Sequence, residues 1–294
     1  SQSYHVSYRG GTDKTKYMFS ANMADNNGVI VNTYFKSSHL KANLKHKAFD
    51  NRLTIYSKTR GSYQTGKASS VANGEMFQDR SVVSHAMRFQ PIYTLLDPGE
   101  SDDIYADLNE GNILSNPYTL AKDVEDTKRA ITFHQALSLV AKLQKHLSAT
   151  AKGAVSYNKA YRYNYYPTST TRGRRNNGEA TQAFRENVKY YTEGKLAYKR
   201  KFGKHRINSI LVGTYEYNNF RNLYNKAYGF GSDLTSYYNF GSATDIMVPN
   251  ANFVERSLLS GLFRVGYNYK DRYYVDANAR MDASSKFAEN KKSA

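Results

Sequence analysis

An alternation of apolar and polar residues with a period of two runs through most of the sequence, and it constrains the fold more than any other feature. It is cleanest over residues 272–284. One set of alternate positions there is Tyr273, Val275, Ala277, Ala279 and Met281, and the other is Tyr274, Asp276, Asn278, Arg280 and Asp282. Because successive side chains of a β-strand point to opposite faces, this segment predicts a strand with one apolar and one polar face.

Ten segments of about ten residues repeat the pattern, the fourth of them less cleanly. They are 4–9, 16–23, 39–46, 52–60, 130–143, 146–158, 186–200, 205–218, 257–269 and 272–284. The sequence therefore predicts an all-β protein of about ten strands. Alternation alone does not separate a soluble sheet, which turns its polar row to water, from a transmembrane barrel, which turns its apolar row to lipid.

The lengths of the connections separate these two cases. Five short turns, at 10–14, 47–51, 142–145, 200–204 and 269–272, alternate with four long loops, at 22–38, 61–127, 158–185 and 220–255. Loops beyond about 12–15 residues are uncommon inside compact soluble domains. Short periplasmic turns that alternate with long extracellular loops are typical of outer-membrane barrels. The rhythm therefore favours an antiparallel transmembrane β-barrel.

Composition leaves one further class open. The chain has 42 Lys and Arg against 25 Asp and Glu, a net charge of +17, with 27 Tyr and 14 Phe but no Cys, which excludes disulfides and thiolate metal sites. A soluble basic β-rich nucleic-acid-binding protein, or a surface adhesin, is the alternative interpretation. Clustered basic residues are confined to 195–206 and 172–175, and the aromatic residues alternate along strands. This distribution favours the barrel without a nucleic-acid partner.

Motifs at both ends and in the middle of the chain resemble the barrel of SusC/RagA-type TonB-linked outer-membrane transporters. The first part carries a hairpin and loop with Gly10, Gly11, Lys14, Thr15, Tyr17, Gly28, Val29, Ile30, Val31, Asn43, Leu44 and His46. The middle carries Asn116 and Pro117 ahead of a strand. The end carries Tyr269, Asp271, Arg272, Tyr273, Asp282, Ser284, Ser285, Lys286, Phe287, Asn290 and Lys291, with Lys286 where the family usually has Arg.

The resemblance implies a fold and a domain assignment. Family barrels have 22 strands and are preceded by a plug domain, so about ten strands imply a partial barrel with two open edges, which lipid does not tolerate. We therefore expect residues 1–294 to be part of a single TonB-dependent receptor β-barrel domain, with the plug absent from this chain. The expected location is the outer membrane.

The resemblance also implies a function and partners. Family members import large nutrients, oligosaccharides or peptides, under a SusD-like surface lipoprotein, and the TonB complex acts through the plug that is missing here. Lipopolysaccharide and outer-membrane lipid are expected to surround the barrel, with Arg172, Arg174 and Arg175 as candidates for pairing with lipopolysaccharide phosphates. No motif of a hydrolase, metalloprotease or nucleotide-binding enzyme is present, so we expect no enzymatic activity.

Candidate site residues follow from composition and pattern. Aromatic faces stack on sugars or peptides and tyrosine hydroxyls form hydrogen bonds, so the ligand-binding candidates are Tyr161, Tyr163, Tyr165, Tyr166, Tyr237 and Tyr238, with packing at the strand ends as the alternative role. The candidates that face the lumen are Asp276, Asn278, Arg280 and Asp282. An acidic loop offers weak calcium candidates in Asp102, Asp103 and Asp107 and is otherwise a solvated loop, and no other cofactor is expected.

Overall fold

A single antiparallel sheet dominates the computed structural model, which describes residues 1–67, 82–88 and 116–287. Its eleven strands are β1 (Gln2–Gly11), β2 (Thr15–Asn27), β3 (Tyr34–Ala48), β4 (Leu53–Lys67), β5 (Glu125–Gln144), β6 (Leu147–Tyr166), β7 (Glu179–Phe202), β8 (His205–Phe230), β9 (Ala243–Ile246), β10 (Asn250–Tyr269) and β11 (Tyr273–Ser284). Neighbours in sequence are neighbours in the sheet, except that β10 pairs with β8 and not with the short β9, which pairs with the loop-side end of β8. The sheet is therefore an up-and-down meander, which confirms the predicted partial barrel.

In the described residues, helical structure is confined to the connections. The helices are α1 (Val82–Arg88), α2 (Pro117–Asp123) and α3 (Thr171–Arg175), and two short 3-10 segments occupy Asp233–Tyr238 and Phe240–Ser242. No helix in the described part of the chain is long and apolar enough to cross a membrane.

The five predicted short turns are confirmed, but the strands are longer than the sequence pattern indicates and the predicted long loops are shorter. The loop predicted at 22–38 is a connection of six residues, 28–33, and the loop predicted at 220–255 is largely taken up by β8, β9 and β10. Most of the loop predicted at 61–127 lies outside the described residues. The five short turns lie at 12–14, 49–52, 145–146, 203–204 and 270–272. Strand β6 continues to Tyr166 and β7 begins at Glu179, so the loop predicted at 158–185 shrinks to 167–178. Strands β7 and β8 reach 24 and 26 residues, whereas roughly 9–11 residues of a tilted strand cross a bilayer. The loop-side halves of these strands therefore extend past a membrane.

Register divides the sheet into two faces. Leu137 of β5 lies opposite Gly153 of β6, which lies opposite Thr192 of β7. We call the face shared by these residues the apolar face. The adjacent residues Ala136, Ala154 and Tyr191 share the other side, which we call the polar face because polar and charged residues fill most of it elsewhere.

The apolar face carries an uncharged band next to the short turns. On β5 to β8 the band covers Ile131–Ala141, Leu147–Tyr157, Val188–Tyr198 and Ser209–Asn219, eleven residues on each strand, and every side chain on the apolar face within these ranges is uncharged. The next residue on the apolar face is charged on all four strands: Arg129, Lys159, Glu186 and Arg221. We call this uncharged zone the apolar band, and its height matches the strand length that spans a bilayer.

Candidate functional site

A cleft of about 1150 Å³ opens on the polar face at the loop-side ends of β2 to β8. Its wall includes Lys128, Arg162, Tyr166, Arg185 and Tyr224. Register places these side chains on one face, because Lys128 pairs with Arg162 across β5 and β6, and Tyr224 lies opposite Ala183 beside that row. Cations, amides and aromatic rings therefore converge on one concave surface beyond the apolar band.

Glu179, the first residue of β7, organises one end of the cleft. Its carboxylate is 2% exposed. Arg172 donates to it from Nε at 2.9 Å and from Nη2 at 2.5 Å, and Lys226 Nζ lies 2.9 Å from Oε1. Asn176 adds a fourth donor at 2.9 Å. A buried carboxylate is stable only with partners of this kind, so Glu179 is the anchor of this group rather than a free acid.

Electrostatics at this anchor are dominated by burial and by the paired charges. Burial alone would raise the pKa of Glu179, but its hydrogen bonds to Arg172 and Lys226 hold that pKa below the ordinary carboxyl value. For Arg172, burial alone would lower the pKa, and the hydrogen bond to Glu179 overcomes this and raises it. The Arg172 guanidinium also lies 4.2 Å from the centre of the Tyr166 ring, a cation–π contact. All groups in this cluster therefore keep their charges at neutral pH.

A second ion pair crosses the cleft floor. Arg162 donates to Asp126 through Nε at 2.9 Å and Nη2 at 2.7 Å, and Asp126 is 1% exposed. This two-point geometry fixes the guanidinium plane. Lys128 and Arg185 line the same cleft and have no carboxylate within 4.0 Å among the described residues, although Arg185 lies 5.8 Å from the Phe220 ring centre. Within the described part of the chain, the cleft therefore presents two cations without a paired carboxylate.

Helix α3 brings Arg172 to the cleft. Thr170 caps its first turn by accepting a hydrogen bond from the Gly173 backbone N–H at 3.1 Å. A Cβ on Gly173 would lie 1.9 Å from the Pro167 carbonyl oxygen, so the turn closes only with glycine there. The basic run at 172–175, interpreted from the sequence as a phosphate-binding group, is therefore a structured helix whose Arg172 is already paired with Glu179.

The tyrosine candidates divide between the two faces. Tyr166 lies on the polar face and lines the cleft. Tyr161, Tyr163 and Tyr165 lie on the apolar face beyond the apolar band, and of these three only Tyr161 also belongs to the cleft lining. Tyr163 and Tyr161 stack at 6.0 Å between ring centres, and Tyr163 stacks on Tyr237 at 5.0 Å. The structure thus brings four of the six candidates into one aromatic column, since Tyr238 contacts Tyr237 at 4.4 Å between ring centres.

Two of these tyrosines have packing partners inside the protein. Tyr165 is 1% exposed, joins a small core with Phe230 and Tyr237, and donates to Asp233 at 2.7 Å. Burial, followed by its hydrogen bond with Tyr238, raises the pKa of Tyr237. The role of Tyr165 and Tyr237 as ligand contacts stays a prediction. In the structure both side chains pack in the loop-side core.

The remaining candidates fall in two places. Asp276, Asn278, Arg280 and Asp282 lie on the polar face of β11 opposite Gly266, Arg264, Leu262 and Ser260, which is where alternation predicts the lumen-facing row. Asp102, Asp103 and Asp107 lie outside the described residues. In the ranges 1–67, 82–88 and 116–287, no group of three or more His, Asp or Glu side chains is placed to hold a metal ion.

Sequence reasoning missed the Glu179 and Asp126 ion pairs. Both acids lie at strand ends that the sequence pattern assigns to loops, so no strand face was available to align them with Arg172 and Arg162. Alternation inside YRYNYY was a usable signal, because it places Tyr161, Tyr163 and Tyr165 on one side and Tyr166 on the other.

Comparison with known proteins is consistent along the whole chain. TonB-dependent receptor P3 of Formosa agariphila is 27% identical over 294 residues, which cover 98% of this chain and 28% of that protein. TonB-dependent receptor P39 of the same organism is 24% identical over 300 residues, covering 98% of this chain and 26% of that protein. The chain therefore spans little more than a quarter of the length of these curated relatives. No family model matches the sequence.

Solved structures show the same fold. The RagAB peptide importer in its open-open state superposes with a TM-score of 0.77 at 20% identity, over 99% of this chain and 32% of that one. BauA, the ferric preacinetobactin receptor from Acinetobacter baumannii, superposes with a TM-score of 0.55 at 12% identity, over 99% of this chain and 42% of that one. The chain carries the barrel fold of TonB-dependent receptors. The predicted resemblance to SusC/RagA-type barrels is thereby confirmed, and so is the outer membrane as the location of this barrel segment.

Proposed function

We propose that the chain forms part of the barrel wall of a TonB-dependent outer-membrane importer of large nutrients, oligosaccharides or peptides. The observation that carries the proposal is the cleft on the polar face, beyond the apolar band and lined by Lys128, Tyr166, Arg185 and Tyr224. Rings and cations on rigid strands can hold a polar oligomer while the apolar band holds the wall in lipid.

The domain assignment is part of the same proposal. All described strands belong to one sheet, so residues 1–294 are best interpreted as one part of a single barrel domain, with the plug as a separate unit. A SusD-like lipoprotein would cover the loop-side ends from outside, and TonB would act through the plug. The relatives are named as receptors and the RagAB structures as peptide transporters or importers, which supports transport rather than catalysis.

Uptake by cells that carry the full-length receptor tests this function. Labelled oligosaccharides and peptides are supplied to cells with the receptor, cells without its gene, and cells with the double variant Lys128→Glu and Arg185→Glu. We expect at least one ligand class to enter only with the receptor, and the double variant to reduce its uptake about tenfold. Arg200→Glu, at the short-turn end of β7, is the matched control and should leave uptake unchanged.

Three results would count against the proposal. Equal uptake of every ligand with and without the gene would remove the import function. Uptake that depends on the gene but is insensitive to the double variant would remove the cleft from the pathway. Co-purification of the receptor with a surface lipoprotein tests the lid separately, and recovery of the receptor without one would remove that partner.

A further inference from the structure

A cluster of three cations lies on the apolar face at the loop-side edge of the apolar band. Arg129, Lys159 and Arg221 are the charged residues that follow the band on β5, β6 and β8, and we call them the outer cation cluster. Lys159 pairs in register with Glu186, which pairs with Arg221, so these two cations lie two strand spacings apart, about 10 Å. The cluster therefore faces the zone where lipid tails give way to headgroups.

The cations of the cluster lack close carboxylate partners among the described residues. No carboxylate lies within 4.0 Å of Arg129, Lys159 or Arg221 in the described part of the chain. Glu186 faces the same side and accepts a hydrogen bond from the Tyr157 hydroxyl at 3.4 Å. Glu255 of β10 faces this side as well, because it lies opposite Asn219 and next to the pair of Arg221 with Phe253. Among the described residues, three cations against two carboxylates leave a net charge of about +1 next to lipid, where an uncompensated charge is costly unless an anion from the surroundings pairs with it.

Aromatic rings hold the cations in place at this edge. Lys159 Nζ lies 5.1 Å from the Tyr161 ring centre and 5.3 Å from the Phe184 ring centre. The Arg221 guanidinium lies 5.7 Å from the Phe253 ring centre. Such contacts restrict the long side chains on the sheet surface, which lowers the entropy lost when an anion binds.

We propose that the outer cation cluster binds the phosphate groups of lipopolysaccharide in the outer leaflet. The proposal rests on the proposed function for the orientation of the sheet, with the long loops outside the cell. Arg and Lys form short charge-assisted hydrogen bonds to phosphate, and a carbohydrate headgroup above the phosphates would meet the aromatic column of Tyr161, Tyr163 and Tyr237. The site replaces the interpretation of Arg172 as a lipopolysaccharide contact.

Binding of lipopolysaccharide to the purified full-length receptor in detergent tests the proposal. The triple variant Arg129→Gln, Lys159→Gln and Arg221→Gln should bind fluorescent lipopolysaccharide at least tenfold more weakly than the wild type. Lys159→Gln alone should weaken binding about threefold, which keeps the test usable if the triple variant does not fold. Arg200→Gln is the matched control, because Arg200 lies on the apolar face at the opposite, short-turn edge.

Two further probes identify the source of the phosphate. Dephosphorylated lipopolysaccharide should bind the wild type as weakly as the intact lipid binds the triple variant. Phosphatidylglycerol should bind all proteins weakly and alike. Unchanged lipopolysaccharide binding by the triple variant, or an equal loss of phosphatidylglycerol binding, would overturn the proposal. Nutrient uptake is measured on the same variants to separate the two proposals. If the triple variant takes up nutrients and still binds lipopolysaccharide like the wild type, the lipid site is rejected and the import function stands. If the wild type binds lipopolysaccharide through the cluster but takes up no nutrient, the import function is rejected and the lipid site stands.

Discussion

The two ends of strands β5 to β8 are stabilised in different ways. At the loop side, side chains pack on one another, and Tyr165, Ala180, Ala227, Phe230 and Tyr237 form a small core. At the short-turn side, the apolar band exposes large side chains such as Leu137 and Leu211, and none of its residues belongs to the buried core of the described chain. The same strands therefore depend on internal packing at one end and on a surrounding apolar solvent at the other.

This difference explains how one sheet can serve two environments. The paired backbone ladder continues through both ends, so the strands keep one direction and one register. The side chains change with the solvent: an uncharged row in the band, then charged residues, and then buried ion pairs around Glu179 and Asp126. A substitution that introduces a charge should therefore destabilise the apolar band, whereas a substitution that removes a charge should destabilise the loop-side end.

The largest effect is expected from Glu179→Ala. The substitution leaves Arg172 and Lys226 without their buried partner, which should destabilise the loop-side core by about 3–5 kcal/mol. Thermal unfolding of the purified full-length receptor, with hydrogen exchange over residues 167–178, measures it. Glu255→Ala is the control, because Glu255 is exposed and its loss should cost at most about 1 kcal/mol. Equal effects of the two substitutions would mean that the ion pairs at Glu179 do not stabilise this end.

The next largest effect is expected from Leu137→Arg in the apolar band. Its side chain is 43% exposed, and a charge at mid-membrane depth on the lipid side of a barrel costs about 2–4 kcal/mol. Ala136→Arg places the same charge one residue away on the polar face and should cost much less. The yield of folded receptor in outer membranes, and its urea unfolding in lipid, compare the two. A larger loss for Ala136→Arg would reverse the assignment of the faces.

A smaller effect is expected from acid. Because the pKa of Glu179 is lowered in the folded protein, its ion pairs contribute stability that is complete above its ordinary value of 4.5 and is lost as pH falls through the lower folded value. Protonated Glu179 still fills its site, so the loss is smaller than for alanine. The difference in unfolding temperature between the wild type and Glu179→Gln should be constant from pH 7 to about 5 and shrink below that. A difference that stays constant down to pH 3 would show that Glu179 does not titrate as described.

The sequence pattern predicts most strands and turns of this fold, because a strand between lipid and lumen alternates apolar and polar residues with a period of two. The polar row Asp276, Asn278, Arg280 and Asp282 lies where alternation predicts, and every short turn is close to its predicted position. The pattern fails at the start of β7, beyond the apolar band, where residues 179–185 show no clear alternation. In the extension of β6 the alternation persists through YRYNYY, but the many polar and aromatic residues there were interpreted as a loop. The strand extension to Tyr166 and the start of β7 at Glu179 are absent from the predictions for these reasons.

The candidate site was less predictable than the fold. Tyr166 and Tyr161 are close in sequence, but one residue of register decides which face each occupies. The Glu179 cluster joins residues from α3, β7 and β8, and that meeting depends on the helical turn closed at Gly173. Composition identified the residue types for such a site, and only tertiary structure assigns them to the cleft or to the packing beside it.

Single-cysteine scanning of β6 is the most direct test that the apolar face meets lipid and the polar face meets the lumen. The chain has no cysteine of its own, so each introduced thiol from Leu147 to Tyr157 reports without background from this segment. In full-length receptor in outer membranes, a water-soluble maleimide should label Ser148, Thr150, Lys152, Ala154 and Ser156 positions, while fluorophores at Ala149, Ala151, Gly153 and Val155 positions should be quenched by brominated lipid. Labelling and quenching without a period of two, or with the two sets exchanged, would contradict the assignment of the faces.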